Sequence, residues 1–337
     1  MTDFESKQLP VIMCIDVEPD PREVACPASE PWRGYEVMFR YFNEMRGRIG
    51  QRLQSRVKYI WFWRADPQVQ LAYGDAAWAL KHYAGDLEIL AAQGDELGLH
   101  PHVWNLTSDR KRWLSDSGNQ EWVNHCISTS VEAYREFFGH SCESVRMGDR
   151  WMNQATAQYL EHLGFKYDLT LEPGQPPVNR KKMNEMHTAD LPDYRSVPVY
   201  PYRAAADDYR QPEPDRREGL LMIPLTGGKY FLQCGRRERM LRRLFRPATL
   251  EAWTLTMNLN VDPRYFIYAM RGILENPALT HLALVVRTCI GTKKIEFNNM
   301  QENWEFLLSH PRAGEMTFTT AAEAAAIFEN RAAVSWK

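Results

Sequence analysis

The chain has 337 residues, 44% of them hydrophobic and 25% charged, and a formal net charge of −2. That balance suits a soluble α/β protein with one large core and argues against a dedicated nucleic-acid surface or a polybasic membrane anchor. No run approaches the roughly 20 apolar residues of a membrane span, nothing at the N-terminus resembles a secretory leader, and the six cysteines show no metal-type pairing, so the expected setting is cytoplasmic, with free thiols.

Strand-like and helix-like segments alternate along the chain. Residues 11–17 form a near-continuous apolar run, the pattern of a parallel strand covered on both faces. Helical spacing follows over 34–53, a strand over 57–63, a helix over 75–93 and a third strand over 96–100. A polar loop is expected at 107–118, then a helix over 122–138 capped by Gly139, a short strand at 144–147, a helix over 153–163 closed by Gly164 and a strand at 167–171. The stretch 173–214 is rich in proline and charge, too polar for a core of its own, and reads as a loop insertion over the active face. Strands at 220–225, 281–287 and 315–319 and helices at 263–275 (with Asp262 as N-cap), 298–309 and 320–330 complete the order, while 250–259 is ambiguous. The basic run 236–243 reads as a solvated helix face, the alternative being contact with an anionic substrate or a lipid-phosphate headgroup. Seven or eight strands, each followed by a helix, predict a single (β/α) barrel spanning 1–337; no glycine-rich phosphate loop supports an open doubly wound sheet.

Two strand ends carry metal-ligand chemistry. Residues two apart on a strand project to one side, so Asp16 and Glu18 share a face, as do His100 and His102. Two imidazoles and one or two carboxylates converging at a strand edge suit zinc or a similar divalent ion. The histidines at 82, 125, 140, 162 and 187 read as solvated, and His281 begins a strand at the end away from the ligands.

Several segments fall in the order of the polysaccharide deacetylase family (carbohydrate esterase family 4), which the chain resembles from about residue 11 to 320. They are Cys14-Ile15-Asp16-Val17-Glu18-Pro19, Glu96-Leu97-Gly98-Leu99-His100, Arg146-Met147-Gly148-Asp149-Arg150-Trp151 with the later Gly164-Phe165-Lys166-Tyr167-Asp168, and Leu220-Leu221-Met222-Ile223-Pro224. The resemblance implies a distorted (β/α)7 barrel with a divalent metal, zinc first among them, held by a carboxylate and two histidines. Carried over by position, Asp16 is the base, Glu18 the metal carboxylate, His100 the first histidine and Arg146 the arginine that orients the base. The second histidine usually stands four residues on, where this chain has Trp104, so His102 takes its place. Trp104, Asp149 and Trp151 are the substrate-binding residues expected, the tryptophans as sugar platforms, and Tyr167 and Asp168 lie behind them as support.

One departure matters. Where the family places an acid histidine, on a late strand, this chain has Arg287, which cannot give up a proton at neutral pH but can stabilise an anionic intermediate or clamp a carboxylate or phosphate. The leading expectation is a metal-dependent hydrolase removing an acetyl group from an N-acetylated sugar, its partner a small-molecule or oligosaccharide substrate. The alternatives are a hydrolase of a non-sugar amide or cyclic ureide, and a metal-retaining carbohydrate-binding barrel without turnover.

Overall fold

The computed structural model describes residues 8–109, 111–180, 186–230 and 253–335. The long apolar run is β1 (Leu9–Val17), followed by α1 (Arg33–Leu53) and β2 (Ile60–Trp63). Between β2 and β3 (Glu96–Leu99) the chain forms three helices, α2 (Pro67–Tyr73), α3 (Trp78–His82) and α4 (Ala84–Gln93). The single helix expected over 75–93 is therefore broken. The break falls at Tyr83, whose hydroxyl accepts the Trp32 N–H at 2.8 Å, a tertiary tie that overrides the local periodicity. The loop expected at 107–118 is largely a hairpin of β4 (Trp104–Leu106) and β5 (Trp113–Ser115).

Further on come α5 (Gln120–Phe138), β6 (Ser144–Val145), α6 (Gln154–His162) and β7 (Tyr167–Asp168). The proline-rich stretch holds little regular structure beyond β8 (Tyr202–Arg203), which runs antiparallel to β9 (Leu221–Met222). The ambiguous segment contains β11 (Trp253–Thr256), paired antiparallel with β10 (Gly227–Tyr230). The chain closes with α7 (Pro263–Leu274), capped by the Asp262 carboxylate as expected, then β12 (Leu282–Arg287), α8 (Lys294–Ser309), β13 (Met316–Phe318) and α9 (Ala321–Ser335). Cys234 and the basic run 236–243 lie outside the described residues; the other five cysteines are free. No described helix is long and apolar enough to cross a membrane.

Seven parallel strands curl in the order β12-β1-β2-β3-β6-β7-β9, with β8 beyond β9 and β13 paired to the start of β1. The gap between β9 and β12 is bridged rather than zipped. Thr226 donates its N–H to Ala283 O and accepts the Ala283 N–H on Oγ1, and Leu259 donates to Val285 O, each within 2.9 Å. This is the distorted (β/α)7 barrel that the family resemblance implies.

Alternation along the strands sorts the side chains into two cores. Val11, Met13, Ile15 and Val17 of β1 pack outward under the helices, while Ile12 and Cys14 join Ile60, Phe62, Leu169, Ile223 and Val285 in a barrel interior. Ala321, Ala324 and Ala325 of α9 belong to that interior cluster and plug its lower end. The same inward face continues upward as Asp16 and Glu18 after Cys14, Arg64 after Phe62, His100 after Gly98, and Arg287 after Val285. Charged residues thus collect at the C-terminal ends of the strands, where barrels of this kind carry their chemistry.

Candidate metal centre and active site

Glu18, His100 and His102 meet above the barrel interior. Glu18 Oε1 lies 3.1 Å from His100 Nε2 and 3.1 Å from His102 Nε2, and the two nitrogens are themselves 3.1 Å apart. Donor atoms about 2.0–2.1 Å from zinc stand about 3.3 Å apart at the tetrahedral angle, so this triangle has the spacing of three ligands on one ion. Proton accounting points the same way. His100 Nδ1 is 2.5 Å from Arg146 O, which only accepts, so Nδ1 carries a proton and the neutral ring turns the lone pair of Nε2 toward the Glu18 carboxylate. That lone pair is the one a metal ion would use. The donor set therefore fits a divalent metal.

His102 is held on all sides. Its backbone N–H donates to Asp66 Oδ2 at 3.1 Å, and Asp66 in turn is clamped by Arg64 at 2.6 and 2.8 Å. Trp104 Nε1 donates to His102 Nδ1 at 3.0 Å, while Asp149 Oδ2, buried and without a hydrogen bond, waits 3.7 Å from the same nitrogen. With a metal at Nε2, a neutral His102 would carry its proton on Nδ1, where Asp149 is the acceptor in reach and the Trp104 N–H could no longer donate. Burial and the Arg64 charge push His102 down, but the Asp149 and Glu18 carboxylates outweigh them and raise its pKa overall. Burial would raise Glu18, yet the imidazoles of His100 and His102 beside it hold it well below the usual carboxylate range.

Gly148 seats the ring. A Cβ at this position would fall 2.6 Å from His102 Nδ1 and closer still to two ring carbons. Gly148→Ala is expected to displace the imidazole and weaken metal binding about 10–100-fold, the scale of lost outer-shell support. Competition with a chromogenic chelator measures this, and an unchanged far-UV circular dichroism spectrum would separate it from unfolding. The next two residues, Asp149 (φ 54°) and Arg150 (φ 59°), both sit in the left-handed region. Non-glycine residues hold that strain only where surroundings enforce it; here Arg180 donates to Asp149 O at 2.8 Å, Tyr194 to Arg150 O at 2.9 Å, and Arg150 pairs with Glu172 at 2.9 Å.

Asp16 stands beside the triad, its Oδ2 3.9 Å from His100 Nε2. Arg146 Nε spans both carboxylate oxygens at 2.9 and 3.1 Å, and Arg146 NH1 donates to Leu169 O at 2.9 Å. The turn that carries Arg146 is propped from β7, where Asp168 accepts the Thr170 hydroxyl at 2.7 Å and that oxygen accepts the Met147 N–H at 2.8 Å. Burial pushes Asp168 up to about 6 against these bonds. Arg287 ends β12 in register with Asp16, and burial, which lowers its pKa, is outweighed by the charges of Glu18 and Asp16.

A cavity of about 400 Å³ opens over these groups and is lined by Asp16, Glu18, His100, His102, Asp149 and Arg287 among others. Two sequence-based assignments need correction. Trp104 and Trp151 are buried and neither lines the cavity; Trp104 backs His102 instead of offering a face to a sugar. His187, expected in solvent, is buried with its ring 6.1 Å from that of Trp104. His281 is indeed at the far end, bonded to Pro224 O at 3.0 Å. Missed altogether were Arg22, Arg64, Glu172 and Arg180 on the cavity wall. Arg64 follows a predicted strand just as Glu18 does, so the strand-end rule reaches it; the pairing of Arg150 with Glu172 has no local signal.

No family model matches the sequence, and no curated protein matches it. Solved structures do. A protein of Parabacteroides distasonis assigned to the glycoside hydrolase/deacetylase class superposes with a TM-score of 0.54 at 11% identity, over 96% of this chain and 71% of its own. The chain has the deacetylase-like barrel fold of that structure. This deacetylase-like barrel is also matched, at 12% identity and a TM-score of 0.47 each, by a protein of Pseudomonas aeruginosa PAO1 assigned as a polysaccharide deacetylase and by the allantoinase PuuE. The coverage is 96% of this chain in both cases, and 92% and 91% of theirs.

Proposed function

We propose that this protein is a metal-dependent hydrolase that removes an acyl group, acetyl in the simplest case, from the nitrogen of a sugar or another small amine. The observation that carries the reading is the 3.1 Å triangle of Glu18, His100 and His102 with an arginine-held carboxylate, Asp16, next to it. The likeness to the Parabacteroides distasonis structure supports the same reading through the fold.

A divalent ion bound by the triad would polarise the acyl carbonyl and acidify a water molecule. Asp16 accepts the proton of the attacking water as its oxygen bonds to the acyl carbon. Arg146 keeps Asp16 oriented for that transfer by binding both of its oxygens. Arg287 stands where negative charge on the acyl oxygen or on the substrate is stabilised. The C–N bond then breaks, and the proton held by Asp16 is available to the departing amine, since Arg287 has none to give at neutral pH. Products are a carboxylate and a free amine.

The test is a screen of zinc-loaded protein against acetylated sugars, free and nucleotide-linked, and against N-acetyl amino acids, with released acetate and free amine both measured. Stoichiometric release of the two, lost after chelation and restored by metal, is expected. Acetylated ligands that bind tightly but release no acetate would instead establish a binding-only barrel.

A further inference from the structure

Charge around the cavity is unevenly compensated. Four of the arginines on its wall each face a carboxylate: Arg22 pairs with Asp149, Arg64 with Asp66, Arg146 with Asp16 and Arg150 with Glu172. Two do not. Among the described residues the Arg180 guanidinium donates to the Asp149 carbonyl oxygen at 2.8 Å and makes no ion pair, and the Arg287 guanidinium has neither a hydrogen bond nor an ion pair. The two lie on different sides of the ligand triangle. Arg287 leaves β12 beside Asp16 and Glu18, while Arg180 sits over the strained turn next to His102.

A guanidinium withdrawn from water without a counter-charge is costly, and both side chains are partly buried. The nearest negative groups do not answer the need. Asp16 is committed to Arg146 through two contacts, Asp149 to Arg22, and the charge of Glu18 is consumed once a divalent cation joins the triad. With metal in place the cavity carries an excess of positive charge, and its two uncommitted guanidinium groups present planar forks suited to oxyanions.

We propose that the substrate of this site is an acylated amine bearing an oxyanion, a carboxylate or a phosphate, which Arg287 binds beside the metal triad while Arg180 adds a second positive contact from the other side. That the anion belongs to a substrate rests on the hydrolase reading above; the anion site itself does not.

Matched pairs of probes test it by calorimetric titration of the zinc-loaded protein and by parallel assay of turnover. N-acetylglycine against N-acetylglycinamide tests a carboxylate, and N-acetylglucosamine 6-phosphate against N-acetylglucosamine tests a phosphate. The anionic member of at least one pair is expected to bind about 10–100-fold more tightly, the scale of a charge-assisted contact, with the preference falling as salt is raised. Arg287→Gln should erase most of that preference with the zinc content unchanged; Arg287→Lys should keep part of it. Equal binding within both pairs overturns the proposal, as does a preference that survives Arg287→Gln combined with Arg180→Gln. Anion preference with no turnover of any probe would overturn the hydrolase reading and leave the anion site standing. Turnover of the neutral probes without anion preference would do the reverse.

Discussion

Protein purified without chelator is expected to hold about one zinc-class ion per chain, and His100→Ala/His102→Ala to hold none. The change removes two corners of the 3.1 Å triangle and leaves Glu18 alone, and a single carboxylate does not retain zinc against dilution. Elemental analysis and the melting temperature report on it together. A metal bound only by the folded state adds about 4 kcal/mol at a thousandfold excess over its dissociation constant, so zinc should raise the melting point of the stripped wild type and leave the double variant unmoved. Acid should release the metal. Glu18 and Asp149 raise the pKa of His102, so its imidazolium persists above the ordinary value near 6.5, and a protonated ring cannot ligate. Metal affinity is therefore expected to fall with decreasing pH, starting from above that value. Equal metal content in wild type and double variant would remove these histidines from the ligand set.

Asp16→Asn is expected to lower kcat/KM by about 10²–10⁴ on whichever acylated substrate the wild type hydrolyses, the range for loss of a general base. The amide keeps an oxygen for Arg146 Nε, so Arg146 and the strand ends stay in place, and metal content should not change. Stability will fall, because Arg146 is buried and loses its counter-charge, a change that costs about 3–5 kcal/mol in comparable pairs. Activity, metal content and melting point measured on one preparation separate these effects. Near wild-type turnover with metal retained would move the base to another carboxylate of the cavity, and Asp149 is the next to examine.

The ligand face was readable because it obeys the simplest rule available, the two-residue period of a strand. Asp16 with Glu18 and His100 with His102 each follow a run that must be buried, and their neighbours Val17 and Pro101 have to point elsewhere. The role of Trp104 was not readable on the same grounds. Its indole is placed by the β4–β5 hairpin, and that hairpin presented itself as a polar loop because its strands are three residues each. Short strands hid detail elsewhere too, β6 and β7 having only two residues apiece and too few side chains to show alternation. The Arg22–Asp149 and Arg150–Glu172 pairs arise from loops that approach one another only once the barrel is closed, and no local pattern announces them.

Arg146 joins parts of the site that are usually regarded as independent. Its guanidinium fixes the proton acceptor on β1, its peptide oxygen fixes the tilt of a ligand imidazole after β3, and its remaining contact reaches the backbone just after β7, at Leu169. Proton acceptor and metal ligand are therefore geared through one residue. A side-chain substitution can release the first without touching the second, because the peptide oxygen is common to every amino acid. A shift of the main chain at position 146 is different: it disturbs the proton acceptor and the imidazole together, so the two halves of the chemistry fail as one.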